Sequence, residues 1–268
     1  WHPSGKYVAF SVNTTSQNFF SHNPNRIEVY DSASDIVVYD VDRHEISWSP
    51  LTRSKDSFET FPAFSPDGRS LYFCSAKAVS PMPQEYSKVK YSLCRIDFNP
   101  DDASFGDIVD TLYNGAANGK SVSFPRISPD GRFLAFTLQE YGNFSIWHKD
   151  ADLWVMNMST GEIRPLDAAN SEDVDSYHSW SGNSRWLVFS SRRIDGLYTR
   201  PFICHIDENG QASKPFLLPQ RNPLEYYADQ MVSYNLPELM EHKVTVSRHK
   251  IANTLRNTSG TDITVKAK

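Results

Sequence analysis

Apolar residues alternate with polar or small residues in four short stretches of the chain. This period of two is typical of a half-buried β-strand. The alternating pairs are Val8 and Phe10, Leu71 and Phe73, Leu134 and Phe136, and Leu187 and Phe189. The four phenylalanines lie 63, 63 and 53 residues apart. The spacing predicts an array of one supersecondary unit whose phenylalanines are equivalent core residues.

A turn sequence precedes each alternation. It is FSPDG at Phe64, ISPDG at Ile127, WHPSG at Trp1 and WSGNS at Trp180. Proline fixes the first central φ of such a turn, aspartate bonds to nearby backbone, and glycine takes the position with positive φ. Glycine and asparagine replace proline and aspartate in the fourth copy, and both also suit a turn. Each repeat is therefore predicted to contain a tight hairpin corner.

An inner strand, an S-P-D-G turn and a strand that ends in phenylalanine together resemble the repeat of TolB-like β-propellers, which are relatives of the WD-repeat blade. The resemblance covers Trp1 to about Pro219. It implies an all-β fold of four-stranded antiparallel blades, of which four are visible here. TolB-like propellers typically have six blades. We expect further blades outside this sequence, and the alternative is that a C-terminal strand completes the first blade.

The chain divides into propeller blades over residues 1–219 and a C-terminal helix with a basic tail over residues 220–268. Asn222 and Pro223 are typical of a helix start, as N-cap and first helical residue. Asn235 and Pro237 are expected to end that helix. KVTVS and DITVK further along are weak strand signals.

The net charge of -5 is unevenly distributed, because residues 243–268 carry +5 and the rest of the chain carries -10. An acidic body argues against nucleic acid as a partner, since phosphate binding requires clustered lysine and arginine. The tail either binds an anionic surface or is a solvated terminus, and we expect the latter. No apolar run is long enough to span a bilayer.

Motifs for catalysis and metal binding are absent from the sequence. There is no G-x-S-x-G, H-E-x-x-H, P-loop, G-x-G-x-x-G or C-x-x-C motif. We therefore expect neither a metal nor another cofactor. Cys74, Cys94 and Cys204 are expected to be free and buried, with a Cys74–Cys94 disulfide as the alternative.

Propeller topology places the S-P-D-G corners on one face and the long loops after each second strand on the other. The long loops are rich in aromatic and charged residues, including Phe19, Phe20, His22, Tyr86, Tyr141 and Phe144. The candidate binding residues on this loop face are Trp147, His148, Arg192, Arg193, Tyr198 and Arg200. Exposed tryptophan, tyrosine and arginine often anchor interfaces, and arginine beside an aromatic ring suits an acidic peptide or a sugar acid. The alternative is that the arginines pair with Asp173, Asp175 and Asp195 and stiffen the loops.

Two further candidates lie on inner strands. The repeat alignment places Arg126 and His178 along the central channel, beside Asp173 and Asp175 of a connecting loop. Such a cluster either binds an anion or forms a buried structural ion pair.

The sequence therefore favours a non-catalytic scaffold that binds a protein or peptide. The segment SYHSWSGNSRWLVFSSRR also resembles the last blade of uncharacterised bacterial envelope proteins. That resemblance implies the periplasm or the outer cell surface. The alternative is a polysaccharide lyase or another carbohydrate-active enzyme with its site in the channel. Some oligosaccharide lyases are propellers of this repeat type and hold a metal with channel histidine and glutamine residues. Here only His178 corresponds to such a position.

Overall fold

The computed structural model describes residues 1–19 and 27–266, without the side chain of Leu224. Its strands form four sheets of four. Blade one contains β1 (Tyr7–Phe19), β2 (Ile27–Asp40) and β3 (Glu45–Ser47); blade two contains β4 (Ser57–Phe64), β5 (Ser70–Lys77), β6 (Ser92–Asn99) and β7 (Ser104–Tyr113); blade three contains β8 (Ser121–Ile127), β9 (Phe133–Gln139), β10 (Asp152–Asn157) and β11 (Ile163–Pro165); blade four contains β12 (Asp175–Trp180), β13 (Trp186–Ser191), β14 (Arg200–His205) and β15 (Phe216–Leu217). The molecule is an all-β propeller, as predicted.

Short helices and one further strand complete the described residues. The helices are α1 (Gly115–Asn118), α2 (Pro223–Ala228) and α3 (Arg248–Asn257), with single 3-10 turns at Tyr86–Lys88 and Ser145–Trp147. The last strand, β16 (Thr264–Val265), pairs in parallel with the outer strand β3. A C-terminal strand thus gives blade one its fourth strand, although it joins the outer side of the sheet.

The predicted hairpin corners are confirmed. In blade two, the Ser65 hydroxyl donates to Asp67 at 2.5 Å, and Gly68 has a φ of 71°. In blade four, Ser181 makes the same bond to Asn183 at 2.7 Å. Ser184 holds the positive-φ position there with a φ of 60°, so the corner survives without glycine.

Apolar clusters between successive blades form the core. Phe73 packs against strands of blade one, Phe136 against blade two and Phe189 against blade three, and all three are fully buried. Phe10 occupies the equivalent position in blade one, but 39% of it is exposed. The prediction that it is a core residue is wrong, because its face of blade one has no neighbouring blade among the described residues.

The long loop predicted around Phe19, Phe20 and His22 is largely strand, because β1 extends to Phe19 and β2 begins at Ile27. β1 and β2 continue as a long antiparallel hairpin, with a register shift at Thr14/Thr15. Phe20 and His22 lie outside the described residues. The hairpin brings Glu28 and Asp31 to the loop of blade three, and Tyr30 to the loop of blade two.

The C-terminal region is partly as expected. The Asn222 side chain caps α2, and Pro223 is its first residue. The helix ends at Ala228, earlier than predicted. KVTVS is not a strand, and α3 follows it with Ser247 as N-cap. No described helix is long and apolar enough to cross a membrane.

Candidate functional site

Arg192 and Trp147 meet where the loops of blades three and four come together. The guanidinium carbon of Arg192 lies 4.7 Å from the centroid of the Trp147 ring. The Arg192 side chain makes no hydrogen bond or ion pair with the described residues, and its Nε is buried without a partner. Burial lowers the pKa of Arg192, and the charges of Asp173 and Asp195 oppose that effect. Arg192 is therefore a half-buried cation whose hydrogen-bonding capacity is largely unused.

Exposed apolar residues border this pair. The Asp195 carboxylate accepts hydrogen bonds from the backbone amides of Leu197 and Tyr198, both at 2.8 Å. This turn leaves Leu197 69% exposed and Ile194 53% exposed, while Tyr198 is half-buried. The loop therefore presents apolar side chains next to a cation on an aromatic ring.

Arg193 is directed into blade four. It forms an ion pair of 2.5 Å with the fully buried Asp175, and it also donates to the Ala169 carbonyl and the Ser191 hydroxyl. Burial raises the pKa of Asp175, and Arg193 opposes that rise. The guanidinium carbon lies 4.6 Å from the centroid of the Phe202 ring. All these contacts are internal, so Arg193 is structural.

Arg200 is also internal. Only 2% of it is exposed. It donates to the carbonyls of Gln230 at 2.8 Å, Val232 at 3.0 Å and Tyr227 at 3.3 Å, and it lies 3.8 Å from Asp195. These contacts anchor the segment after α2, which includes Gln230 and Val232, to blade four. They also leave the guanidinium unavailable to a ligand from solution.

His148 is buried beneath the hairpin of blade one. Its Nε2 lies 3.2 Å from Glu28, and its ring packs edge-on against Tyr141 at 4.6 Å. The Tyr141 hydroxyl donates to the other oxygen of Glu28 at 2.9 Å. His148 therefore joins blade three to blade one and does not face solvent with Trp147.

A second polar contact between the hairpin of blade one and the loop of blade three was not predicted from the sequence. Asp31 accepts hydrogen bonds from Asn13 at 2.9 Å, Thr15 at 2.5 Å and Asn143 at 2.7 Å. Burial raises the pKa of Asp31, and these three bonds oppose the rise. Nothing local in the sequence indicates this set, since Asp31 and Asn143 are 112 residues apart.

The channel residues do not assemble as predicted. The Arg126 guanidinium lies 5.3 Å from the centroid of the Phe124 ring and donates to the Pro125 carbonyl at 3.1 Å. Burial lowers the pKa of His178 to about 3, so this histidine is neutral at pH 7. Its ring approaches backbone of blade three, but neither nitrogen completes a hydrogen bond within the described part of the chain. No described contact joins Arg126 or His178 to Asp175, which pairs with Arg193.

The thiols match the prediction. Cys74, Cys94 and Cys204 are free and buried. Burial raises the pKa of Cys94 to about 11 and that of Cys204 to about 12, which suppresses thiolate formation. Among the described residues, no three side chains of histidine, cysteine, aspartate or glutamate form a group that could hold a metal.

No family model matches the sequence, and no curated protein matches it significantly. Several solved structures share its fold. An oligogalacturonate lyase in complex with manganese is 14% identical, with a TM-score of 0.50 over 82% of this chain and 64% of that one. An oligogalacturonate lyase from Vibrio parahaemolyticus is 10% identical, with a TM-score of 0.46 over 72% of this chain and 50% of that one.

TolB from Acinetobacter baumannii is another similar structure, 15% identical, with a TM-score of 0.42 over 82% of this chain and 56% of that one. This chain spans less than two thirds of the length of each of the three. At such low identities, the likeness is one of fold. The chain is thus similar in architecture to known β-propellers.

Proposed function

We propose that this chain is a non-catalytic propeller scaffold that binds an acidic segment of a protein or peptide in the bacterial cell envelope. The observation that carries the proposal is the unsatisfied Arg192 cation on the Trp147 ring. Arg193 and Arg200 have their donors engaged internally, whereas Arg192 makes no ion pair with a described residue. A partly buried guanidinium with free donors gains more from a carboxylate than an exposed one does.

The surroundings of Arg192 indicate what else the partner carries. Leu197 and Ile194 are exposed beside it. A segment with an apolar residue next to its carboxylate would cover these side chains and exclude water from the ion pair. Because the body of the protein is acidic, recognition of the carboxylate has to be local to Arg192.

Site-specific photo-crosslinking tests the proposal. A photoreactive residue at position 197 is expected to crosslink acidic protein segments from an envelope extract. The same residue at position 67, in an exposed corner on the opposite face, is the control. Arg192→Ala is expected to abolish crosslinking from position 197. Equal yields from both positions, or an undiminished yield in the variant, would contradict the proposal.

An enzyme with a site in the channel remains a second prediction from the sequence. Release of unsaturated products from uronate oligosaccharides is measured with and without a divalent metal. Such release would show that the protein is a lyase and would contradict the scaffold proposal. The envelope location rests on the resemblance of the last blade to envelope proteins. Fractionation of cells that carry the natural gene tests it, and recovery of the protein in the cytoplasm would contradict it.

A further inference from the structure

Blades one and two border a polar cavity of about 390 Å³ that the proposed function does not use. Its walls come from β2, where Ser34 and Asp35 lie, from the start of β4, and from the linker between β3 and β4. The linker supplies Trp48, Arg53 and Lys55. Two cations thus line a cavity in a protein whose body is acidic.

Hydrogen bonds to backbone hold the linker at both ends. At one end, the Ile36 amide donates to the Thr52 carbonyl at 2.8 Å, and the Thr52 hydroxyl donates to the Ile36 carbonyl at 3.3 Å. At the other end, the Ala78 amide of blade two donates to the Asp56 carbonyl at 2.9 Å. The linker is therefore fastened to β2 and to blade two, so the cavity is formed before a ligand arrives, as small-molecule sites usually are.

Arg53 is oriented by two contacts at this cavity. Its guanidinium carbon lies 4.6 Å from the centroid of the Trp48 ring, and its Nε lies 3.4 Å from a carboxylate oxygen of Asp35. The side chain is 48% exposed, and its terminal nitrogens make no hydrogen bond with a described residue. A guanidinium held in this way can bind a carboxylate through two parallel hydrogen bonds.

Further donors lie around Arg53. Lys55 is exposed and forms no ion pair within residues 1–19 and 27–266. The Trp48 Nε1 is buried and has no hydrogen-bond partner in the described structure. A buried donor without an acceptor costs free energy, so an acceptor that reaches it is stabilising. Asp35, which also lines the cavity, already pairs with Arg53, so the lining favours an anionic ligand that is rich in acceptors.

The linkers between the other blades fill the equivalent region with protein groups. Ser92 is the counterpart of Asp35 in blade two, because each pairs with the residue two positions after the repeat phenylalanine. The Gly115 amide of α1 donates to the Ser92 hydroxyl at 3.1 Å. In blade three, the Asn170 side chain accepts from the Leu153 amide at 2.9 Å and donates to its carbonyl at 3.0 Å. The linker after blade one instead borders a cavity with charged side chains.

We propose that this cavity binds a small dicarboxylate. Two cations on different side chains match two separate carboxylates, one at the terminal nitrogens of Arg53 and the other at Lys55. The hydroxyls of Ser32, Ser54 and Ser57 also line the cavity and donate to the remaining carboxylate oxygens. The volume is large enough for a small organic molecule. The site is distinct from the proposed peptide site on blades three and four.

Succinate is the probe, and succinamide, which has nearly the same shape without the charges, is its matched control. Binding to the full chain is followed by the indole N–H resonance of Trp48 in two-dimensional NMR, which a Trp48→Phe variant assigns. Succinate is expected to shift this resonance saturably, whereas succinamide should not. Arg192→Ala should bind succinate as the wild type does, which separates this site from the proposed function.

Arg53→Gln is the decisive variant, and calorimetry measures its affinity for succinate. The change removes the charge and the paired donors, so affinity should fall at least about tenfold. Lys55→Gln should also weaken binding. Arg53→Lys keeps the charge without the paired donors and should bind with an intermediate affinity. The matched control is Lys214→Gln, an exposed lysine of blade four, which should bind within about twofold of the wild type.

Three results would overturn the proposal. The first is binding that does not saturate, or equal affinity for succinate and succinamide. The second is unchanged affinity in the folded Arg53→Gln and Lys55→Gln variants, because succinate would then be an adventitious anion bound elsewhere. The third is tighter binding of inorganic phosphate than of succinate in the same cavity, because the site would then take a compact oxyanion.

Discussion

Three arginines within nine residues of one loop have different environments, and their contacts separate their roles. Arg193 and Arg200 use their donors on Asp175 and on backbone carbonyls. Arg192 stacks on Trp147 with no hydrogen bond from its side chain to a described residue. The two structural arginines hold the loop in place, whereas the third makes no such contact with a described residue.

Arg193→Ala should strongly destabilise the protein. It leaves Asp175 buried without its cation, and breaking a buried pair costs about 3–5 kcal/mol. Arg192→Ala is the matched control, and it loses only a partly exposed contact with Trp147, worth about 0.5–1 kcal/mol. The free energy of unfolding in denaturant measures both. Equal losses would show that Arg192 is also structural.

Glu59 should make stability depend on pH. It is buried, one carboxylate oxygen has no partner among the described residues, and burial raises its pKa to about 7 from an ordinary 4.5. A raised folded-state pKa favours the folded protein below about pH 4.5, and that stability is lost as the pH rises to about 7. Glu59→Gln removes the titration, so it should be more stable than the wild type at pH 8, and the difference should shrink towards pH 4.

Unfolding of both proteins in denaturant between pH 4 and pH 8 measures this difference. The comparison isolates Glu59, because His178 and the other titrating groups are common to both. The loss is at most about 1.4 kcal/mol per pH unit within the window. An identical pH dependence in the variant would mean that the Glu59 carboxylate is solvated and that burial does not raise its pKa.

The innermost strands share a strained element. Phe61, Phe124 and Tyr177 have φ of 52°, 54° and 51°, in the left-handed region that bulky residues rarely adopt. Their rings contact one another in sequence, with centroids 4.5 and 4.4 Å apart and ring planes tilted by 40° and 44°. Each lies at a register shift, where an extra residue turns the side chain towards its neighbour. The contacts between the rings offset the strain, so the strained backbone and the aromatic residue recur together in the repeat.

Local elements could be predicted from the sequence and non-local contacts could not. The corner at Ser65–Gly68 and the cap at Asn222 depend on residues a few positions apart, so their patterns are visible in the chain. The exposure of Phe10 depends on which blade lies beside it. The pairing of Glu28 with His148 joins residues 120 positions apart, and neither neighbourhood indicates the other. Candidate residue types on the loop face were therefore predictable, but not which arginine is free.

Hydroxyl groups link successive blades at one repeated position, with one exception. Ser11 of blade one meets Thr60 of blade two at 3.4 Å, and Thr137 of blade three meets Ser176 of blade four at 2.9 Å. The equivalent pair between blades two and three is Cys74 and Ser123. The Ser123 hydroxyl is buried without a hydrogen-bond partner in the described structure. Cysteine has replaced the hydroxyl that the repeat places there.

Cys74→Ser should therefore be tolerated. The new hydroxyl can pair with Ser123, so we expect stability within about 1 kcal/mol of the wild type or above it. Cys204→Ser is the control: both cysteines lie in apolar clusters, but only Cys74 occupies the repeat position that faces the Ser123 hydroxyl, which has no partner in the described structure. It should cost about 1–3 kcal/mol. The free energy of unfolding is measured under reducing conditions, and equal losses would contradict the equivalence of these positions.

Across the whole molecule, the hairpin of blade one connects blades that are not adjacent. Glu28 reaches His148 and Tyr141 of blade three, and Asp31 reaches Asn143. Tyr30 packs on Tyr86 of blade two at 5.5 Å between ring centroids. The hairpin therefore braces three blades on the loop face, next to the site proposed around Trp147.

Glu28→Ala tests this bracing. The variant loses the contacts of the carboxylate with His148 and with Tyr141, so the far half of the hairpin should open more often. Hydrogen exchange should accelerate over residues 15–19 and 27–31. The corners at Ser65 and Ser128 should exchange as in the wild type, because their bonds are local.

Glu45→Ala, in the outer strand β3, is a matched control that should leave the hairpin unchanged. Faster exchange in all four blades would mean that Glu28 stabilises the propeller globally. Unchanged exchange would mean that Tyr30 and Asp31 hold the hairpin without it.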